Sequence, residues 1–401
     1  MLQPMFTMHG FNWFDRRGTE GVGFIRALRV LLTNNLPHIL PDLGVIIRAR
    51  FAELHESHSN VNGAKGSPVY PMVVKLVVLS NAVSFFGKDL AKNEDFMVSA
   101  LQYIEQTLIC AEIIRLLPTW MAPVIGRLIR GRLEAQKIIF DTLVPIAEQR
   151  FLERDLKQLI LKKQADCIQW VMETSPRQNP WSAKRVVHEL MAIWFGSVHA
   201  VSTTITFAIH DICIQPEYME PLRAELVENY EEFERSAKGL PLMDSFIKES
   251  ARLTPVEAQS TRRSALKPFA LSDGTKTNVG DWVRTPVRAI MQNPRFYPDP
   301  LAFNGFRFAS RDFLDNAKGK FKFMQPNPSK LTDVDSNFHV WGTGRMACPG
   351  RFYATAVMKV IMGQILLNYE CELVDTHGTR FLQWRLTILP KSSTLVSFTP
   401  Y

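Results

Sequence analysis

One run of residues constrains this chain more than any other: Trp341-Gly342-Thr343-Gly344-Arg345-Met346-Ala347-Cys348-Pro349-Gly350, directly before a helix that begins near Arg351. Two glycines ahead of Cys348 and one just after it permit tight turns and close backbone approach to a flat ligand. A cysteine at a helix entry lies near free N–H groups and the positive end of the helix dipole, and both favour thiolate over thiol. Thiolate is the form that ligates metal. The other cysteines, at 110, 167, 213 and 371, are widely spaced and form no Cys-x-x-Cys pair, so neither a disulfide framework nor a structural zinc site follows. A single axial thiolate suits a haem iron. The alternative is a buried free cysteine in a glycine-rich turn.

Around this loop the 401-residue chain is 46% hydrophobic and 21% charged, which excludes a mainly disordered, collagenous or coiled-coil protein. The first two thirds predict helix after helix. Leu28 to Leu54 has helical apolar spacing interrupted by Pro37 and Pro41, and Pro71 to Phe86 and Phe96 to Leu117 follow. Trp120 to Arg150 passes from an apolar turn through Arg127, Arg130 and Arg132 into an amphipathic helix, which suits either a membrane surface or a solvated helix face. Ser182 to Ile214 is the longest uninterrupted helical candidate, and Glu217 to Ser236 is a charged helix. Ala258 to Val283 holds short β-type runs, Pro294 to Pro328 is irregular, and the helix Arg351 to Tyr369 is followed by hairpin strands through Phe398. With no internal repeat and no long linker, residues 1–401 are expected to form a single domain.

The formal charge of +8 suits an acidic protein partner, an anionic membrane or nucleic acid. Nucleic acid is set aside, because the basic residues are scattered and no groove-reading or zinc motif appears. No stretch reaches eighteen uncharged apolar residues, and Met72 to Gly87 is broken by Lys75, so no transmembrane helix is predicted. Met1 to Gly10 lacks the basic and apolar regions of a signal peptide.

Trp341, Gly342, Gly344, Cys348 and Gly350 resemble the signature of the cytochrome P-450 haem-thiolate monooxygenases, with Met346 departing from the usual basic residue. The order of elements resembles the family too: Glu249-Ser250-Ala251-Arg252, then Pro294 to Pro300, then Phe306-Arg307-Phe308, then the cysteine loop. The closest similarity is to fungal microsomal members of secondary metabolism, including the ent-kaurene-oxidase-like group. It covers about Phe24 to Phe398. The resemblance implies a mainly α fold with a long central helix across the haem and small β-sheets. It implies haem b with Cys348 as the iron's axial ligand, with Trp341, Gly344, Arg345 and Gly350 beside it, and Arg29 and Arg263 on the propionates. Glu249, Arg252 and Arg307 would form a buried structural triad.

On the central helix, Gly196 and Ser197 match the family's small pair and His199 its fungal variant, while Ala200 stands where a threonine is usual. Proton delivery would then fall to His199 with Ser197 or Thr203. The resemblance further implies dioxygen and a hydrophobic, terpenoid or similar substrate. It implies electrons from an NADPH-cytochrome P-450 reductase, an acidic partner for Arg345, Arg351 and Lys359. The alternatives are a non-insertion reaction on the same fold (rearrangement, dehydration or coupling) and an inactive truncated product. Relatives sit on the endoplasmic-reticulum membrane facing the cytosol, and their anchor, hinge, first strands and two early helices take roughly a hundred residues. None is expected before Phe24, which predicts an N-terminally incomplete domain, peripheral or cytoplasmic.

Overall fold

The computed structural model describes residues 23–62, 66–118, 120–130, 133–155, 165–176, 178, 180–316, 321, 328–344 and 347–401. The chain divides into two compact units, Met1–Leu43 with Val74–His199, and Gly44–Val73 with Ala200–Tyr401.

In the first unit, a helical turn (Gly23–Arg26) and a π-helix (Ala27–Leu32) lead into α1 (Thr33–Asn62), which from Gly44 on belongs to the second unit. Pro37 and Pro41, expected to interrupt this segment, lie inside α1. Just upstream of the prolines, Thr33 Oγ1 donates to the Leu28 carbonyl at 2.9 Å and Asn35 Nδ2 to that of Leu31 at 2.8 Å, so side-chain donors supplement the helical ladder. The first unit resumes at Val74 within α2 (Val69–Phe86) and continues through α3 (Lys88–Ala91), α4 (Glu94–Arg115), α5 (Ala122–Arg130), α6 (Glu134–Asp155), α7 (Cys167–Glu173) and α8 (Ala183–Ser197). Both α4 and α8 pack on α6. Trp194 anchors the core: it is fully buried, its indole N–H donates to the Ala100 carbonyl at 2.8 Å, and its ring lies 4.8 Å from that of Phe86.

The predicted uninterrupted helix from Ser182 to Ile214 is in fact two, α8 and α9 (His199–Ile214), with Val198 between them. The cause is local. Asn81 Nδ2 donates to the Ser197 carbonyl (3.3 Å) and to Ser197 Oγ (3.0 Å), and Ser197 Oγ donates back to the Trp194 carbonyl (2.8 Å). A side-chain donor on a carbonyl that a continuous helix would use breaks the ladder there.

The expectation that no segment is apolar enough to span a bilayer also needs correction. Phe24–His58, Val69–Phe86 and Ala183–Ile214 are long and apolar enough by length and composition. Within its window Val69–Phe86 is 72% buried, the pattern of a core helix.

The second unit contains α9 beyond His199, α10 (Met219–Ser236), α11 (Pro241–Leu253), α12 (Val287–Met291), α13 (Arg311–Asn316) and α14 (Arg351–Asn368). Its strands are β1 (Ser67–Pro68), β2 (Ser260–Ser264), β3 (Phe269–Ala270), β4 (Lys276–Thr277), β5 (Trp282–Thr285), β6 (Tyr369–Leu373), β7 (Phe381–Trp384), β8 (Thr387–Pro390) and β9 (Leu395–Pro400). They form small antiparallel sheets in the orders β1-β9-β6, β2-β5, β3-β4 and β7-β8. Helices α10 and α14 approach closely because position 363 has no side chain: a Cβ on Gly363 would lie 2.8 Å from the Tyr230 ring. Every residue of α11 from Leu242 to Arg252 is buried, so each polar side chain on it must find a partner inside the protein.

Candidate functional site

The polar residues of α11 organise the site. Glu249 accepts from Arg252 Nε (2.7 Å) and Nη2 (2.8 Å), from Arg307 Nε at 3.0 Å to each oxygen, and from the Asn304 backbone N–H (3.0 Å). All three charged side chains have zero exposure. Arg252 also donates to the Met291 and Pro300 carbonyls, and Arg307 to those of Pro298, Asp299 and Ala302. The triad expected from the order of motifs is therefore formed, and it holds the irregular segment around Pro298 in place.

The cysteine loop turns through Gly342 and Gly344, at φ +74° and +59°, a conformation that favours glycine. It closes on itself: the Cys348 N–H donates to the Trp341 carbonyl at 2.8 Å, Ala347 to Gly344 at 3.2 Å, and Gly342 to His339 at 3.0 Å. Gly350 caps α14, so the Cys348 thiol stands at the positive end of an 18-residue helix. Cys348 is half-buried and free of any disulfide. Two outside groups hold the loop. Trp341 donates its indole N–H to the Leu331 carbonyl (2.6 Å), and Arg351 donates to the Thr332 carbonyl (2.9 Å) and the Cys348 carbonyl (3.1 Å). Gly344 is exposed, and a Cβ added to it would meet no atom within 4 Å. A cysteine outside any disulfide, in a loop with open space at Gly344, fits a flat macrocycle with one axial sulfur ligand.

The remaining predicted residues stand on separate elements. Arg345 lies outside the described residues. Arg263 is exposed on β2, and Arg29 is half-buried on the π-helix of the first unit. Gly196 and Ala200 are exposed, and no atom lies within 4 Å of a Cβ built on Gly196. His199 is half-buried. Burial holds its pKa below the ordinary value, partly offset by the Glu105 carboxylate.

The hydroxyls nearby differ. Ser197 bonds with Asn81 and Trp194 as above and Thr204 donates to the Ala200 carbonyl (2.9 Å), whereas fully buried Thr203 Oγ1 meets no hydrogen-bond partner among the described residues, although the Tyr70 hydroxyl is its neighbour. Tyr70 and Asn81 were invisible to motif reading, since neither stands near the helix in sequence.

Lys359, expected on a reductase-facing surface, is instead buried. Its ammonium pairs with Asp244 at 2.6 Å and donates to the Gly239 carbonyl at 2.8 Å. Nothing beside Lys359 in sequence marks it for burial, but α14 is covered on that side as well.

A helical unit carrying a buried Glu-Arg-Arg cluster and a glycine-lined cysteine at a helix entry is the arrangement of a haem-thiolate protein. The family model for Cytochrome P-450 matches residues 25–398, and the chain belongs to that family. It is similar to the cytochrome P-450 monooxygenase olcJ of Penicillium canescens, 28% identical over 363 residues, 88% of this chain and 65% of that protein. It is also similar to the ent-kaurene oxidase of Gibberella intermedia, 28% identical over 317 residues, 77% of this chain and 57% of that protein. The chain thus spans less than two thirds of the length of these relatives. Among solved structures, retinoic-acid-bound cyanobacterial CYP120A1 superimposes with a TM-score of 0.69 at 18% identity, covering 94% of this chain and 78% of its own. The cytochrome P-450 CYP102L1 gives 0.70 at 17% identity, covering 100% and 83%. The mainly helical fold with small sheets is that of the family.

Proposed function

We propose that the chain is a haem-thiolate monooxygenase inserting one atom of dioxygen into a hydrophobic small molecule, terpenoid or another secondary metabolite, with electrons from an NADPH-cytochrome P-450 reductase. The observation that carries this reading is the cysteine loop, where Cys348, outside any disulfide, precedes α14 in a glycine turn with open space at Gly344. When bound, haem b supplies redox-active, thiolate-ligated iron, which performs the oxidative chemistry.

The chain's own residues have the remaining tasks. Cys348 supplies the ligand, and Trp341, Gly344 and Gly350 keep the loop flat beneath it. Arg29, Arg263 and Arg345 neutralise the propionates, a task for which a permanently charged planar fork is suited. His199, neutral near pH 7 and with Nε2 meeting no partner, passes a proton, with Ser197 or Thr203 as the hydroxyl beside it.

A second reading, rearrangement, dehydration or coupling without oxygen insertion, is favoured by one feature. Ala200 brings no hydroxyl, and that of Ser197 already has partners. For localisation, we place the protein peripherally at the cytosolic face of the endoplasmic reticulum. Trp120, Val124 and Leu128, 77%, 62% and 68% exposed, lie one helical turn apart on and just before α5. Arg127 and Arg130 lie among them in sequence.

The deciding experiment is the reduced carbon-monoxide difference spectrum of the haem-loaded chain. A Soret band at the thiolate position supports the reading and its absence rejects it. With reductase and candidate substrates, label from dioxygen in the product supports insertion, and unlabelled product favours the second reading.

A further inference from the structure

Two charged side chains of α11 face away from the triad and take part in none of the chemistry above. Lys248 has zero exposure; its ammonium donates to Ser329 Oγ (2.9 Å) and to the Lys330 carbonyl (2.8 Å), and lies 4.7 Å and 4.5 Å from the Phe308 and Phe338 ring centres. Asp244, one turn earlier, accepts from the Leu331 N–H at 2.9 Å and pairs with Lys359 of α14. The partners of both are consecutive residues, 329 to 331. The opposite side of the same strip carries the cysteine loop: the Leu331 carbonyl receives the Trp341 indole, and the Thr332 carbonyl receives Arg351, which also grips the Cys348 carbonyl. A turn fixes the strip's own shape, with Lys330 N–H donating to Asp333 Oδ2 (2.8 Å) and Asp333 N–H to the Lys330 carbonyl (3.1 Å).

We propose that Lys248 and Asp244 are positioning residues for the iron ligand, acting through the backbone strip of residues 329–332 to fix Trp341, Arg351 and hence Cys348. Resting on the haem-thiolate reading, this assigns α11 a second task beside its triad: one side of the helix holds the segment around Pro298, the other sets the loop that presents the sulfur. A buried ammonium is costly unless fully partnered, so its presence here marks the strip as a place where position matters. The groups facing Lys248 are Asp244 on its own helix and Asp333 and Asp335 on the loop beyond the strip, all of which favour its charge. Burial opposes them and brings its pKa down to about 8. The strip therefore loses its ammonium clamp within an accessible pH range.

The test is the carbon-monoxide difference spectrum of haem-loaded parent, Lys248→Met and Ser329→Ala, followed across pH at matched haem content. The parent should lose the thiolate band reversibly with a midpoint near 8. Lys248→Met should show a roughly tenfold lower thiolate fraction, the lower end of what loss of an outer-shell partner costs, and no such step. Ser329→Ala removes one acceptor from the charged form and should move the midpoint to lower pH. A Lys248→Met protein that keeps the parent's band and its pH step overturns the proposal. If that variant holds no haem, Ser329→Ala decides, and an unchanged midpoint overturns it. A parent without any thiolate band rejects the haem-thiolate reading itself, a different failure.

Discussion

Replacing Glu249 by Gln changes almost no volume and removes one charge, yet it should be among the most damaging substitutions in the chain. The carboxylate receives both forks of Arg252, the Nε–H of Arg307 shared between its oxygens, and the Asn304 N–H, with no solvent contact for any of the three side chains. A glutamine keeps one oxygen and turns an NH2 toward guanidinium donors, leaving two buried cations without a counter-charge. Breaking a buried pair from one side costs about 3–5 kcal/mol, a large share of the roughly 5–15 kcal/mol that holds an ordinary domain together.

The assay is urea unfolding of the haem-loaded protein followed by circular dichroism, with Arg307→Gln and the double variant completing a cycle. Either single change should lower stability by about the range above, and the double should cost clearly less than their sum, since removing both partners leaves one less orphan charge. A Glu249→Gln loss below about 1 kcal/mol, the scale of an exposed pair, would refute the claim that the cluster is held as a buried charge network.

Three further outcomes follow from the geometry. Cys348→Ala should abolish the thiolate-type carbon-monoxide spectrum, and a variant that kept it would place the ligand elsewhere. His210 is fully buried with neither ring nitrogen partnered, and desolvation, aided by the Arg380 charge, lowers its pKa to about 4 from 6.5. The unfolded chain therefore takes up the proton first as pH falls below 6.5, and stability is lost until pH reaches about 4, by about 3 kcal/mol from this group. Asp211 and Glu225, with pKa values raised to about 6 and about 7 mainly by burial, act in the opposite sense, so the His210 contribution is read as the difference between parent and His210→Leu. A parent-minus-variant difference that does not change between pH 7 and 4 contradicts it. Finally, Trp120→Ser with Leu128→Ser should weaken sedimentation with anionic phospholipid vesicles, and unchanged binding removes α5 from the membrane face.

What the residue string revealed and what it hid divide along one physical line. Side chains announce themselves. The glycines and cysteine of the loop, and a glutamate three residues before an arginine with a second arginine downstream, could be recognised before any coordinates, and the triad then closed as expected. Helix α14 ends one residue short of its predicted boundary, at Asn368. The break in the central helix, the burial of Lys359 and the strip at 329–332 depend on a partner distant in sequence or on a backbone group.

The break at Val198 needs Asn81, 116 residues before the carbonyl of Ser197 that it occupies, and no periodicity within the helix carries that information. Lys359 was read as a surface cation because nothing nearby in sequence declares Asp244 to be its partner. The strip at 329–332 is the extreme case: apart from Ser329 Oγ, which accepts from Lys248, it works through two carbonyls facing the cysteine loop and one N–H and one carbonyl facing α11, groups that every residue but proline possesses. Its identity is therefore fixed by what reaches it, Trp341 and Arg351 from one side and Asp244 and Lys248 from the other. Substitutions of Lys330 and Thr332 that preserve the backbone path should accordingly be tolerated far better than substitutions of those four side chains.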